Sequence, residues 1–154
     1  MDNAPKVEVV IEIPKGSIVK RSSSGRLDFI SPVPCPFNYG AIDNILGPDK
    51  DLLDAVVLGP RLHRGARLTV PVVGAIRITD RGMFDDKLIC SEKPVGKMKR
   101  ALILLFFKFY AKCKGFINFC RGYPGRNHCN GWQEAGEILK KAVTRTTGSH
   151  KNSL

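Results

Sequence analysis

The sequence predicts an α+β domain, mainly β, with a small barrel or sandwich first and helices last. Three observations carry that expectation. Short runs rich in β-branched residues, separated by Gly, Pro or Asp, recur between residues 7 and 90. After Pro94 the pattern changes to a stretch, Met98–Lys114, that has no Gly or Pro and is too long for an ordinary strand. The 154 residues, 43% hydrophobic and 25% charged, match one domain of globular composition, which excludes dominant disorder.

The first strand is Val7–Ile13. Val7, Val9, Ile11 and Ile13 share one face and Glu8, Val10 and Glu12 the other, until Pro14 stops the run and Gly16 turns it. A Ser- and Pro-rich stretch then frames a short strand near Leu27–Ile30. Ala55–Leu58, Leu68–Val73, Ala75–Ile78 and Lys87–Cys90 supply the remaining strands. Phe116–Asn130, with Gly122, Pro124 and Gly125, reads as a loop. Trp132, Ala135, Leu139, Ala142 and Val143 recur at helical spacing behind Asn130 as a cap. The expected organisation is a single domain over 1–154, with β structure over about 7–92, a basic helical part over 93–143 and a frayed polar tail over 144–154.

Charge is distributed unevenly along this organisation. The 25 Lys and Arg against 14 Asp and Glu give a formal net charge of +11. Residues 1–92 carry 12 of each sign, whereas 93–154 carry 13 basic residues and only Glu134 and Glu137. A basic excess invites a polyanionic partner, and it belongs entirely to the last third. The longest apolar run, Ala101–Phe107, is far short of the roughly 20 residues that span a bilayer, so no membrane partner is expected. The opening MDNAPK lacks a secretion signal, and the expected location is the cytoplasm.

Cys35, Cys90, Cys113, Cys120 and Cys129 are odd in number and irregular in spacing, which fits free thiols in a reducing compartment. Cys113, Cys120, His128 and Cys129 contain no C-x-x-C pair, and adjacent His128–Cys129 suits one tetrahedral zinc ion poorly.

Seven carboxylates lie between residues 43 and 86, and six of them form two groups that each meet an apolar strand. One is Asp49-Lys50-Asp51-Leu52-Leu53-Asp54 and the other runs from Asp80 to Lys87 through Asp85 and Asp86. Loop ends on a rigid sheet are common places for catalytic groups. Converged carboxylates repel and need a cation, and oxygen ligands select Mg²⁺, Mn²⁺ or Ca²⁺. The same D-x-D-x-x-D also reads as a solvated turn with capping aspartates. An EF-hand is excluded, because Asp54 and Pro60 stand where its Gly and Glu belong. A haloacid-dehalogenase-type D-x-D should follow a continuous apolar strand, and Leu46-Gly47-Pro48 precedes this one.

Val9–Pro14 (VVIEIP), Ile18–Lys20 (IVK), Pro36–Ile42 (PFNYGAI), D-x-D-x-x-D, Val73–Asp80 (VGAIRITD) and Asp85–Lys87 (DDK) occur in that order. Together they resemble the family I soluble inorganic pyrophosphatases from about Val7 to Cys90. A weaker echo continues through Phe106–Tyr110 and Gly131-Trp132. The resemblance implies a five-stranded OB-like barrel with C-terminal flanking helices, hydrolysing inorganic pyrophosphate to two phosphates with Mg²⁺, or Mn²⁺ in its place. It also implies a homo-oligomer. Carried over, Asp49, Asp54, Asp80 and Asp85 are metal ligands, with Asp54 bridging two ions. Asp51 accepts a proton from the attacking water, and Glu12 is a further carboxylate at the metals. Lys20, Tyr39, Lys87 and Tyr110 hold the phosphates.

The chain departs from the family at several phosphate-binding positions. Ser22 stands where a carboxylate is usual, Ser31 where an arginine is, and Ala111 where a lysine follows the helix tyrosine. Arg21, Arg26 and Lys112 are the candidate replacements. These losses define the alternative reading, a weakened or inactive relative acting as an OB-like nucleic-acid-binding module.

Overall fold

The computed structural model describes residues 4–21, 27–30, 34–46, 52–80, 83–120, 128–133, 136 and 138–139. Among the described residues eight strands and one long helix follow in the order β1 (Lys6–Ile13), β2 (Val19–Arg21), β3 (Leu27–Ile30), β4 (Asn38–Leu46), β5 (Leu52–Val57), β6 (Arg67–Asp80), β7 (Met83–Cys90), α1 (Lys97–Cys120) and β8 (His128–Gln133). Five strands close into an uneven barrel in the order β1-β4-β5-β7-β6, with β6 returning to β1. All its pairings are antiparallel except β5 with β7. The 14-residue β6 makes closure possible. Its first part, Arg67–Pro71, pairs with β1, and the remainder, from Val72, pairs with β7. β8 adds to β6 outside the ring, and β2 pairs with β3 in a separate two-stranded sheet.

Alternation along the strands builds two apolar layers. Val7, Val9 and Ile11 of β1 meet Leu53, Ala55 and Val57 of β5, Val70 and Val72 of β6, and Leu88 and Cys90 of β7. The intervening positions, Val56, Ile76, Ile78 and Ile89, form a second layer beneath α1. Ile103, Phe107 and Ala111, spaced four apart on α1, bury against that layer with Phe37. Phe37 meets Phe106 edge-on at 4.9 Å between ring centroids and stacks on Phe107 at 5.8 Å.

Two glycines mark close approaches. A Cβ on Gly40 would lie 2.1 Å from the Val10 carbonyl oxygen, and one on Gly74 would lie 2.1 Å from the Trp132 ring. Each position therefore admits no side chain as the structure stands.

Several sequence expectations change. Leu68–Val73 and Ala75–Ile78 are parts of one strand, which continues through Gly74 beneath Trp132 with a register shift against β7. The Phe116–Asn130 loop is wrong at both ends: α1 continues to Cys120 and β8 starts at His128. Trp132 belongs to β8, not to a helix behind Asn130, because the outer edge of β6 offers it a backbone ladder. Helical residues do follow at 136 and 138–139, with Ile138 buried in the barrel layer.

Candidate active site

The parallel pairing of β5 with β7 places Asp54 directly across from Lys87. The Lys87 ammonium donates to an Asp54 carboxylate oxygen and, at 2.8 Å, to Asp85 two residues earlier on its own strand. Strand alternation explains the convergence. Asp54 sits between Leu53 and Ala55, which face the barrel layer, so its side chain faces the other way. Asp85 and Lys87 likewise share one face of β7 and alternate with Asp86 and Leu88. The Lys87 side chain is 3% exposed, while Asp54 and Asp85 keep 19% and 14%. The carboxylates thus form the opening and the ammonium the floor.

Tyr39 enters from β4, two residues before Ala41, the partner of Asp54. The Lys87 Nζ lies 5.5 Å from its ring centroid. Tyr110 arrives from α1, with its ring held against Phe106 at 6.3 Å and Phe107 at 6.1 Å. Burial opposes the Lys87 charge, but Asp54 above all, with help from Tyr39 and Asp85, holds its pKa well above that of an ordinary lysine. Burial, then the Asp54 carboxylate, pushes the Tyr39 phenol well above the usual tyrosine range. At neutral pH the site therefore holds an ammonium and a neutral hydroxyl donor.

Asn38 fixes the strand that carries Tyr39. This fully buried amide accepts from the Lys15 and Leu62 backbone N–H groups at 3.0 and 2.9 Å. It donates to the Pro60 carbonyl at 2.9 Å and the Val57 carbonyl at 3.4 Å. The start of β4 is thereby tied to the chain beyond β5. Asp86 is equally committed. Its carboxylate takes a two-pronged ion pair from Arg77, its cross-strand partner, at 2.9 and 3.1 Å. Thr79 adds a 3.0 Å bond to Asn130 of β8 nearby on β6. Of the two acids in D-D-K, Asp85 serves the opening and Asp86 the strand pairing. Arg77, Asp86 and Asn38 were not singled out as functional residues from the sequence. Their signal lay inside motifs already noted, RITD, DDK and PFNYG.

The structure brings together Asp54, Asp85, Lys87, Tyr39 and Tyr110 of the expected residues. Glu12 is half-buried on β1, next to Ile13, which pairs with Tyr39. Lys20 lies on β2 opposite Phe29, and Asp80 ends β6 two residues beyond Ile78, the partner of Asp85. Asp49 and Asp51 lie outside the described residues, as do Ser22, Arg26 and Ser31. Ala111 is buried in the layer under α1, where its small size closes the packing. Lys112 is exposed, and two helical residues separate it from Tyr110 by about 200° around α1. It is therefore no replacement for a lysine beside that tyrosine.

Among the described residues no group of three His, Cys, Asp or Glu side chains lies close enough to hold a metal. Two carboxylates that already converge on one cation, offering oxygen donors only, nevertheless fit part of a hard-ion site. Cys35, Cys90, Cys113 and Cys129 are free thiols. Burial raises Cys35 and pushes Cys90 up to about 12, so neither is a thiolate nucleophile at neutral pH.

The family model for inorganic pyrophosphatase matches residues 9–145. The inorganic pyrophosphatase of Neisseria meningitidis serogroup A is 35% identical over 155 residues, covering 90% of this chain and 88% of the relative. That of Haemophilus influenzae is 28% identical with the same coverage of both. The solved inorganic pyrophosphatase of Thermus thermophilus superposes with a TM-score of 0.73 at 25% identity, covering 96% of this chain and 95% of that one. That of Neisseria gonorrhoeae gives 0.74 at 24% identity, covering 94% and 93%, and shows the shared fold.

Proposed function

The chain belongs to the inorganic pyrophosphatase family, and we propose that it hydrolyses inorganic pyrophosphate to two phosphates with Mg²⁺ as the activating ion, Mn²⁺ being an acceptable substitute. The observation that carries this reading is the buried Lys87 ammonium held between Asp54 and Asp85 beside the neutral Tyr39 hydroxyl.

Hydrolysis breaks one bond of the P–O–P bridge as a water oxygen bonds to phosphorus in line with it. Negative charge spreads over the non-bridging oxygens, and the site needs fixed cations and donors there. Lys87 supplies a point charge that its neighbours keep protonated, and Tyr39 supplies a hydrogen bond without charge. Asp54 and Asp85 would hold Mg²⁺ together with Asp49 and Asp80, and Glu12 would support them. The ion supplies neutralising charge and makes water more acidic. Asp51 would take the water proton, while Lys20 and Tyr110 would join Lys87 and Tyr39 on the phosphates. The enzyme is read as a cytoplasmic homo-oligomer. The test is phosphate release from pyrophosphate with Mg²⁺ and with a chelator. The reading expects turnover only with the metal, and it falls if release is equal in both.

A further inference from the structure

Arg77 and Asp86 carry charges that the catalytic reading does not use. They are cross-strand partners of β6 and β7, joined by the two-pronged ion pair, with side chains only 14% and 2% exposed. Strand alternation puts them on the barrel side of the ladder, next in line after Ala75 and Leu88 of the apolar layer. An apolar pair of the same bulk would hold such a layer as well or better, because two desolvated charges rarely regain from each other what they lose from water. The stability of the layer does not account for the pair.

Register accounts for it. Asp86 stands between Asp85 and Lys87, which lie across from Ile78 and Ile76 and face the site on the other side of the sheet. A slip of one residue would turn both into the barrel layer. The ladder is irregular close by: β6 shifts register against β7 between Val72 and Gly74, and against β8 between Arg77 and Ile78. Backbone bonds alone form in any register, whereas a guanidinium fork engages a carboxylate only where both oxygens meet it in one plane. Lys87 depends on the same aim at its other edge, since Asp54 reaches it from β5.

We propose that Arg77 and Asp86 are positioning residues for the reaction: their pair pins the register of β7 and so aims Asp85 at the metal ion and Lys87 at the phosphates. This role rests on the pyrophosphatase reading, and neither residue faces the site itself.

The test compares the full chain with Arg77→Met/Asp86→Leu, which removes both charges together, and with Glu8→Gln/Arg67→Gln, which removes an exposed pair between β1 and β6. Phosphate release gives kcat, and the rise of melting temperature with Mg²⁺ gives the midpoint for the ion without turnover. The buried double variant is expected to melt cooperatively near the parent, to lose about 10- to 100-fold in kcat and to need about ten-fold more Mg²⁺ at the midpoint. The surface variant is expected to match the parent in all three. Should the buried double variant fail to fold, Arg77→Lys keeps the charges balanced and removes only the fork, and it is read in the same way. A purely structural pair would return activity together with stability. A parent-like kcat or a parent-like midpoint in the folded variant therefore overturns the proposal, as does an equal loss in the surface variant. A parent chain that responds to Mg²⁺ but releases no phosphate overturns the pyrophosphatase reading instead, and the midpoint then decides the aim of Asp85 alone.

Discussion

Asp54 and Lys87 face one another across the parallel β5–β7 pair, and Asp85 completes the clasp from two residues before Lys87. One ammonium thereby binds two carboxylates at the edge of an apolar layer. In the proposed function Mg²⁺ and Lys87 would share the same oxygens, and the predictions follow from that competition.

Lys87→Met should remove the buried ammonium that Asp54 and Asp85 share. The expected loss of stability is about 3–5 kcal/mol in urea unfolding, as for breaking a buried ion pair. Added Mg²⁺ should recover part of that loss and should stabilise the variant more than the parent. Equal metal effects on the two proteins would contradict the shared-cation picture.

Asp86→Ala should likewise remove the two-pronged partner of the mostly buried Arg77 guanidinium and cost about 3–5 kcal/mol. The double variant Arg77→Met/Asp86→Leu replaces both charges by apolar bulk and should regain most of the stability. A double-mutant cycle reads the coupling directly, and additive effects would show that the pair contributes nothing.

Raised pKa values at Lys87 and Tyr39 have one consequence for stability. Between each group's unfolded and folded pKa the native state binds more protons than the unfolded state, so stability falls as pH rises. Both contributions are intact below the unfolded values, about 10 for tyrosine and 10.4 for lysine, and are lost above them. Tyr39→Phe should flatten part of the alkaline decline in melting temperature. An unchanged slope would place the phenol elsewhere.

Gly74→Ala should cost about 1–3 kcal/mol, because its Cβ would meet the Trp132 ring. Trp132 is the one tryptophan of the chain, so its fluorescence reports the displacement without interference. A variant with unaltered emission and stability would contradict the packing of β8 on β6.

The strands that alternate cleanly were legible in the sequence, β1 above all, since Val7, Val9 and Ile11 occupy one face in any register. β4 was read only as a motif. Its start follows Pro36, and its Gly40 lacks the branched side chain that marks a strand, being fixed by the approach of Val10. Nor could β8 be seen, because only the outer edge of β6 overrides the helical spacing of Trp132 with its later neighbours. In the site, the residue types around Asp54 and Lys87 were visible, but their pairing was not, since the register of β5 with β7 joins residues 33 apart. The roles of Asn38 and Arg77 likewise depend on distant partners. Periodicity does not carry that information.

Asp54→Asn is the most direct test of the central claim. It keeps the shape of the side chain and leaves Lys87 paired with Asp85, while removing the carboxylate that the proposed metal ion and the ammonium would share. At saturating Mg²⁺ the phosphate-release rate from pyrophosphate should fall about 100- to 1,000-fold, with the melting temperature little changed. A variant that folds and turns over pyrophosphate at the parent's rate would contradict the account.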